Sequence, residues 1–201
     1  MTDIASLTQR ICDLGAAGLN RYADISNTHP FESPEYFMSS YIFSNLAKEG
    51  YTITLETSFS KLHDWNNEAR TQRLKLPPRS AEEEVELLKI SEAIGQQKVD
   101  MVIFEPKTEV QSRDDLDLFA LIEFKKGVMS ESDKTKLTKI LPFIDTCRYG
   151  IVCGVIHVNN IQKFKTSVEP QHWHEKPVDE RYADGNPYVV CAYFIRGSAI
   201  R

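Results

Sequence analysis

Apolar residues recur along this chain in two rhythms, and the changes between them mark its elements. Ile4, Leu7, Ile11 and Leu14 fall at three- and four-residue steps, the stripe of an amphipathic helix over residues 3 to about 24. Asn20 to Pro30 reads as a turn. Ser33-Pro34-Glu35 then has the form of a helix start, with serine as N-cap and proline at the first position, where its missing N–H costs nothing. Met38, Ile42, Phe43 and Leu46 carry that helix to Gly50, a residue suited to the left-handed C-terminal position. From Tyr51 to Thr57 the period becomes two and the residues β-branched, which predicts a strand. Ser80-Ala81-Glu82-Glu83 matches a capping box and opens a helix expected to hold Val85, Leu88 and Ile94 inside and to end near Gly95.

Further along, the pattern is apolar on both alternating faces. Lys98 to Pro106, Leu118 to Lys126, Tyr149 to Val158 and Tyr188 to Arg196 read as interior strands covered on two sides. A polar connection with Arg113, Asp114 and Asp115 joins the first two as a hairpin. Ser130 with Asp133 starts a helix through Leu137, Ile140, Leu141 and Ile144, which Pro142 should kink or end. Asn159 to Pro187 is polar, with a turn signal at Asp184-Gly185-Asn186-Pro187. No repeat, low-complexity tract or linker divides the chain. The expected fold class is α/β, a central mixed β-sheet flanked by helices, as a single domain over residues 1–201.

Composition narrows the function classes. With 201 residues, 41% of them hydrophobic, the chain can bury one sizeable core. Its net charge of −5 argues against indiscriminate binding of nucleic acid. The stretch from Lys61 to Arg79 departs from that balance, carrying Lys61, Arg70, Arg73, Lys75 and Arg79 against Asp64 and Glu68, either as a basic surface or as a solvated loop. No apolar run reaches the roughly 18 residues of a membrane span, and the start lacks the regions of a signal peptide, so a cytoplasmic protein with no membrane partner is expected. Cys12, Cys147, Cys153 and Cys191 form no CxxC pair and read as free buried thiols.

Charges on two of the interior strands carry the chemistry. Asp100 sits among Val99, Met101, Val102 and Ile103, while Glu123 and Lys125 follow Leu121 and Ile122. Desolvating an unpaired charge is costly, so such positions imply pairing, a metal, or exposure at a strand end. Strand alternation puts Glu123 and Lys125 on one face, and neighbouring strands would bring Asp100 to them. Two carboxylates can hold Mg²⁺ with water and substrate oxygens, the ion lowers the pKa of a bound water, and a nearby lysine can orient that water or stabilise transition-state charge.

Val99-Asp100, followed after twenty-two residues by Glu123-Phe124-Lys125, resembles the D…ExK motif of the PD-(D/E)XK nuclease superfamily. Valine stands where the name-giving proline would be. The resemblance covers about residues 33–158 and implies a restriction-endonuclease-like core, a helix, a three-strand meander, a helix and a strand, with an extra N-terminal helix and C-terminal strand outside it. It further implies catalytic Glu35, Asp100, Glu123 and Lys125, and Mg²⁺ or Mn²⁺ held by Asp100, Glu123, Glu35 and the backbone carbonyl of Phe124. Glu32 is the rival to Glu35 on the first core helix. The substrate implied is DNA rather than RNA, with Arg70, Arg73, Lys134 and Lys136 as candidate substrate contacts. The alternative is a catalytically inactive nuclease-fold module in a defence or repair complex. A homodimer or a protein-complex partner is compatible with either.

Weaker signals have plainer readings. His172-Trp173-His174 with His157 fits no strong zinc spacing and reads as surface loop. Asp114, Asp115 and Asp117 read as turn residues, and Trp65 as an anchor on the core in preference to a base-stacking platform.

Overall fold

A computed structural model describes residues 3–94, 97–104, 118–126, 131–165, 168–179 and 187–197. In it the first helical stripe forms α1 (Ile4–Ser26), whose first-turn N–H groups are capped by the Asp3 carboxylate. The Ser33-Pro34-Glu35 signal opens α2 (Glu35–Lys48) one residue later than expected: Pro34 is the cap, without a side-chain bond, and the Ser33 hydroxyl turns to the Pro34 carbonyl. Gly50 follows it at φ 94°, the left-handed region glycine tolerates. After β1 (Ile53–Ser58) come α3 (Phe59–Glu68), a π-helical turn at Ala69–Arg73 and α4 (Ala81–Ile94). The remaining elements are β2 (Lys98–Phe104), β3 (Leu118–Lys126), α5 (Glu131–Ile140), β4 (Tyr149–His157), the short α6 (Ile161–Lys165), β5 (Trp173–Pro177) and β6 (Tyr188–Arg196).

The strands make one six-stranded mixed sheet in the order β1-β2-β3-β4-β6-β5. β1, β2 and β3 pair as an antiparallel meander, α5 crosses to β4, and β4 runs parallel to β3. Each face of the sheet buries its own apolar layer. On one face α1 and α2 pack Leu7, Ile11, Met38 and Ile42 against Met101, Ile122, Phe124 and Val190. On the other, α3, α4 and α5 pack Leu62, Leu87 and Leu137 against Val102, Leu121, Val152 and Cys191. That double cover is why the interior strands are apolar on alternate faces. α1 lies close because it carries glycine at the contacts: a Cβ on Gly15 would stand 2.9 Å from Val190, and one on Gly18 would stand 3.1 Å from Tyr41.

Three expectations are corrected. The segment after β1, read as a basic surface or loop, is helical as far as Arg73, because Phe59, Leu62, Asn66 and Ala69 fall at helical steps and are buried. In α4 the inward residues are Leu87 and Ile90, while Val85 and Leu88 are 50% and 63% exposed, since the helix packs by a narrow edge against α3 and α5. The polar stretch before β6 holds an unforeseen strand, β5, at the sheet edge, where Trp173 alone supplies a buried apolar side chain. The capping box stands as read: Glu83 N–H donates to Ser80 Oγ at 3.2 Å and Ser80 N–H to a Glu83 carboxylate oxygen at 2.7 Å. The expected hairpin connection with Arg113, Asp114 and Asp115, the turn residue Asp117, Ser130, the Asp133 side chain, and Asp184 to Asn186 lie outside the described residues. Among the described residues no helix is long and apolar enough to cross a membrane.

Candidate active site

The site lies where β2 and β3 part. Their regular pairing includes Met101 with Ile122 and is not continued to Asp100 and Glu123. Instead the Asp100 side chain takes the backbone's place: Phe124 N–H donates to Asp100 Oδ2 at 2.7 Å. A charge-assisted bond of that kind fixes a carboxylate in the plane of the sheet, at the mouth of the gap. Strand geometry points the N–H and C=O of one residue to the same side, so the Phe124 carbonyl is directed into the same gap.

A break in strand alternation makes this position accessible. Val99 and Val102, three residues apart, both belong to the apolar layer of α3, α4 and α5, whereas Met101 and Ile103 belong to that of α1 and α2. β1 breaks at the same level. Thr54 and Thr57, also three apart, bring their hydroxyls within 3.0 Å of each other, and Glu56 between them has φ 46°. An unbroken strand would place Asp100 on the face of Val102, under α5. With the break, Asp100 borders an open cleft of about 560 Å³ on the α2 side, together with Glu35, Tyr36, Ser39, Leu55, Glu56 and Phe124.

Glu35 therefore faces Asp100 across the cleft, on the stripe of the buried Met38, Ile42 and Leu46. Its rival Glu32 is exposed in the short 3-10 turn before α2. Glu56 and the 72% exposed Tyr36 join the same wall. Neither had been singled out from the sequence, because a positive φ inside an alternating run and the rim of a cleft leave no periodic signal. Glu56 is also ion-paired with Lys98 at 3.0 Å.

Glu123 is placed differently. Its neighbour in register is Val152 of the α5-side layer, and its side chain is 3% exposed. There it meets Lys136 of α5, with Nζ 2.7 Å from Oε1. The contact is charge-assisted, an ammonium donating to a buried carboxylate. Lys136 also donates to the Lys98 carbonyl of β2 at 2.7 Å, so its ammonium bridges the parting strands from the α5 side. Burial pushes the Glu123 carboxyl up to about 7; the charge of Asp100 adds to the rise, while Lys136 and Lys125 oppose it. Asp100 and Lys125 are thus both near enough to act on Glu123, although Glu123 does not border the cleft that Asp100 and Glu35 share.

The donors are of the kind a hard divalent cation takes: the Asp100 and Glu35 carboxylates of the cleft beside the Phe124 peptide, with the Glu123 carboxylate buried on the α5 side. Among the described residues, no three carboxylate, imidazole or thiolate side chains stand together as a ready cage.

The four candidate substrate contacts divide as well. Arg70 Nη1 lies 2.6 Å from Asp145 Oδ1 and Arg79 Nη2 lies 3.1 Å from Oδ2, and both arginines also donate to backbone carbonyls, of Pro77 and Phe143 respectively. With Asn66 donating to Asp145 at 2.9 Å, these groups tie residues 66–79 to the end of the α5 segment. The basic charge of Arg70 and Arg79 is therefore turned inward. Lys134 is partly buried on α5, Lys136 is held at Glu123, and the side chain of Arg73 lies outside the described residues.

Elsewhere, Trp65 packs edge-on against Phe104 at 5.5 Å, an anchor on the core, with Lys61 over its ring. His172 lies against Phe194 and His157 accepts from Asn159 N–H. All four cysteines are free and buried. Comparison with family models, with curated proteins and with solved structures gave no match to this chain.

Proposed function

We propose that the protein is a Mg²⁺- or Mn²⁺-dependent nuclease that hydrolyses phosphodiester bonds in DNA, with a PD-(D/E)XK-type site at the parting of β2 and β3. The observation that carries this reading is the Asp100 carboxylate anchored by Phe124 N–H at the mouth of that gap, with Glu123 and Lys125 on the same strand as Phe124 and Glu35 across the cleft. The run from α2 through the meander to α5 and a parallel β4 supports it, since it is the element order that the motif implies. On this reading Asp100, Glu35 and the Phe124 carbonyl would hold the ion from the cleft and Glu123 would join them by turning from Lys136 into the gap; the ion would polarise the phosphoryl group and lower the pKa of a bound water. Lys125 orients that water or stabilises the charge that develops on the phosphate.

The test is cleavage of DNA by the purified protein with a divalent metal present. Asp100→Ala and Lys125→Ala should each lower cleavage by about a hundredfold or more while circular dichroism stays unchanged. Equal activity in the variants would trace the cleavage to a contaminant.

A second reading, a nuclease-fold binding or regulatory module without catalysis, is favoured by one observation: Glu123 is neutralised under α5 by Lys136 instead of lining the cleft. Calorimetry separates the two, because a folded protein that takes up no Mg²⁺ or Mn²⁺ at millimolar concentration and cuts nothing is such a module.

A further inference from the structure

The Lys136 ammonium touches two oxygens of the strands that form the site, Glu123 Oε1 and the Lys98 carbonyl, each at 2.7 Å, and its side chain is 15% exposed. Three features set it apart from an ordinary surface ion pair. It sits on α5, outside the strands that carry Asp100, Glu123 and Lys125. It bridges β2 and β3 where their ladder stops, on the side opposite the cleft of Asp100. And the carboxylate it neutralises is 3% exposed, so the pair is enclosed and little screened by solvent.

We infer that Lys136 is a specificity-determining residue of the site, a resident internal cation that a divalent ion displaces from Glu123 and a monovalent ion does not. The inference rests on the metal-site reading above. A tethered ammonium competes at high effective concentration because the fold holds it in place. Na⁺ or K⁺ brings the same single charge and gains little by exchange. Mg²⁺ brings twice the charge and binds carboxylate and carbonyl oxygens directly. A dication and an ammonium repel each other at one carboxylate oxygen, so seating the ion on Glu123 sends Lys136 outward, toward the solvent it already reaches in part.

The experiment measures trace acylation of lysine amines on the full chain by mass spectrometry at about pH 8, with millimolar MgCl₂ or with NaCl of equal ionic strength. The exposed Lys139 of the same helix is the internal standard. Calorimetry with MgCl₂ runs in parallel. The expected result is a rise of about fivefold or more in Lys136 labelling with MgCl₂, none with NaCl, and no change at Lys139. In Glu123→Gln, Lys136 should label quickly from the outset and lose its dependence on Mg²⁺. Heat of Mg²⁺ binding without a change at Lys136 overturns the inference and leaves the metal site standing. Absence of both overturns the metal-site reading together with the inference. Equal opening of Lys136 by NaCl overturns the proposal.

Discussion

Glu123 is the side chain on which the surroundings act most visibly. Burial pushes its carboxyl from 4.5 up to about 7, so the folded chain keeps this proton to higher pH than the unfolded chain. Where the native state binds more protons, stability declines as pH rises. This group therefore favours folding fully below pH 4.5 and loses that contribution as pH climbs to about 7. The shift corresponds to about 3 kcal/mol. With chelator present, urea unfolding of the wild type should show that decline, and Glu123→Gln should flatten it, gaining on the wild type at pH 8 and matching it at pH 4.5. A slope that survives in the variant would place its origin in other groups. The thiols show burial acting in the same direction: it pushes Cys147 up to about 12 and raises Cys12, Cys153 and Cys191 as well. A maleimide reagent should leave all four unmodified in the native protein and modify all four in urea. Neither shift is readable from residue type, although the placement of Asp100, Glu123 and the cysteines inside apolar runs already marks them as groups that folding must accommodate.

At the scale of elements, the chain was most legible where one pattern decides the outcome. α1, β3, β4 and β6 follow directly from the spacing of their apolar residues, and the Ser80–Glu83 cap from two side chains within reach of each other's N–H groups. Legibility failed where a distant partner decides. Arg70 and Arg79 look like free basic charge until Asp145 is folded against them, and their side chains are then only 12% and 4% exposed. Removing the shared acid leaves two guanidinium groups buried without their counter-ion. Asp145→Ala should accordingly cost about 3 kcal/mol or more in urea unfolding. Replacing all three charges with Leu or Met should cost less than that single change, and the reverse order would show that the network is stabilising as a whole. β5 and the alternation break at Glu56 and Asp100 are of the same kind, since an edge strand is made by its neighbour and a break by the two strands adjusting together.

At the scale of the whole molecule, one sheet covered on both faces leaves the parting of β2 and β3 as the place where charged groups gather, those of β2 and α2 on one side and those of β3 and α5 on the other. If that place holds a divalent ion, the ion must stabilise the fold. At about a hundred times its dissociation constant, Mg²⁺ should add about 2.7 kcal/mol, seen as a raised melting temperature. Asp100→Asn should lose most of that gain while keeping its melting temperature in chelator within a few degrees of wild type. A gain that is identical in the variant would locate the ion elsewhere. The sequence by itself determined the α/β class, nearly every strand, and which charged residues lie in the core strands, because periodicity and desolvation are local properties of the chain. Only the tertiary structure decided where those charges point: Asp100 to the cleft of Glu35, Glu123 to Lys136, Arg70 and Arg79 to Asp145. The physical reason is that a buried charge takes the partner that three-dimensional packing brings within a few ångströms, and no spacing along the chain specifies that partner.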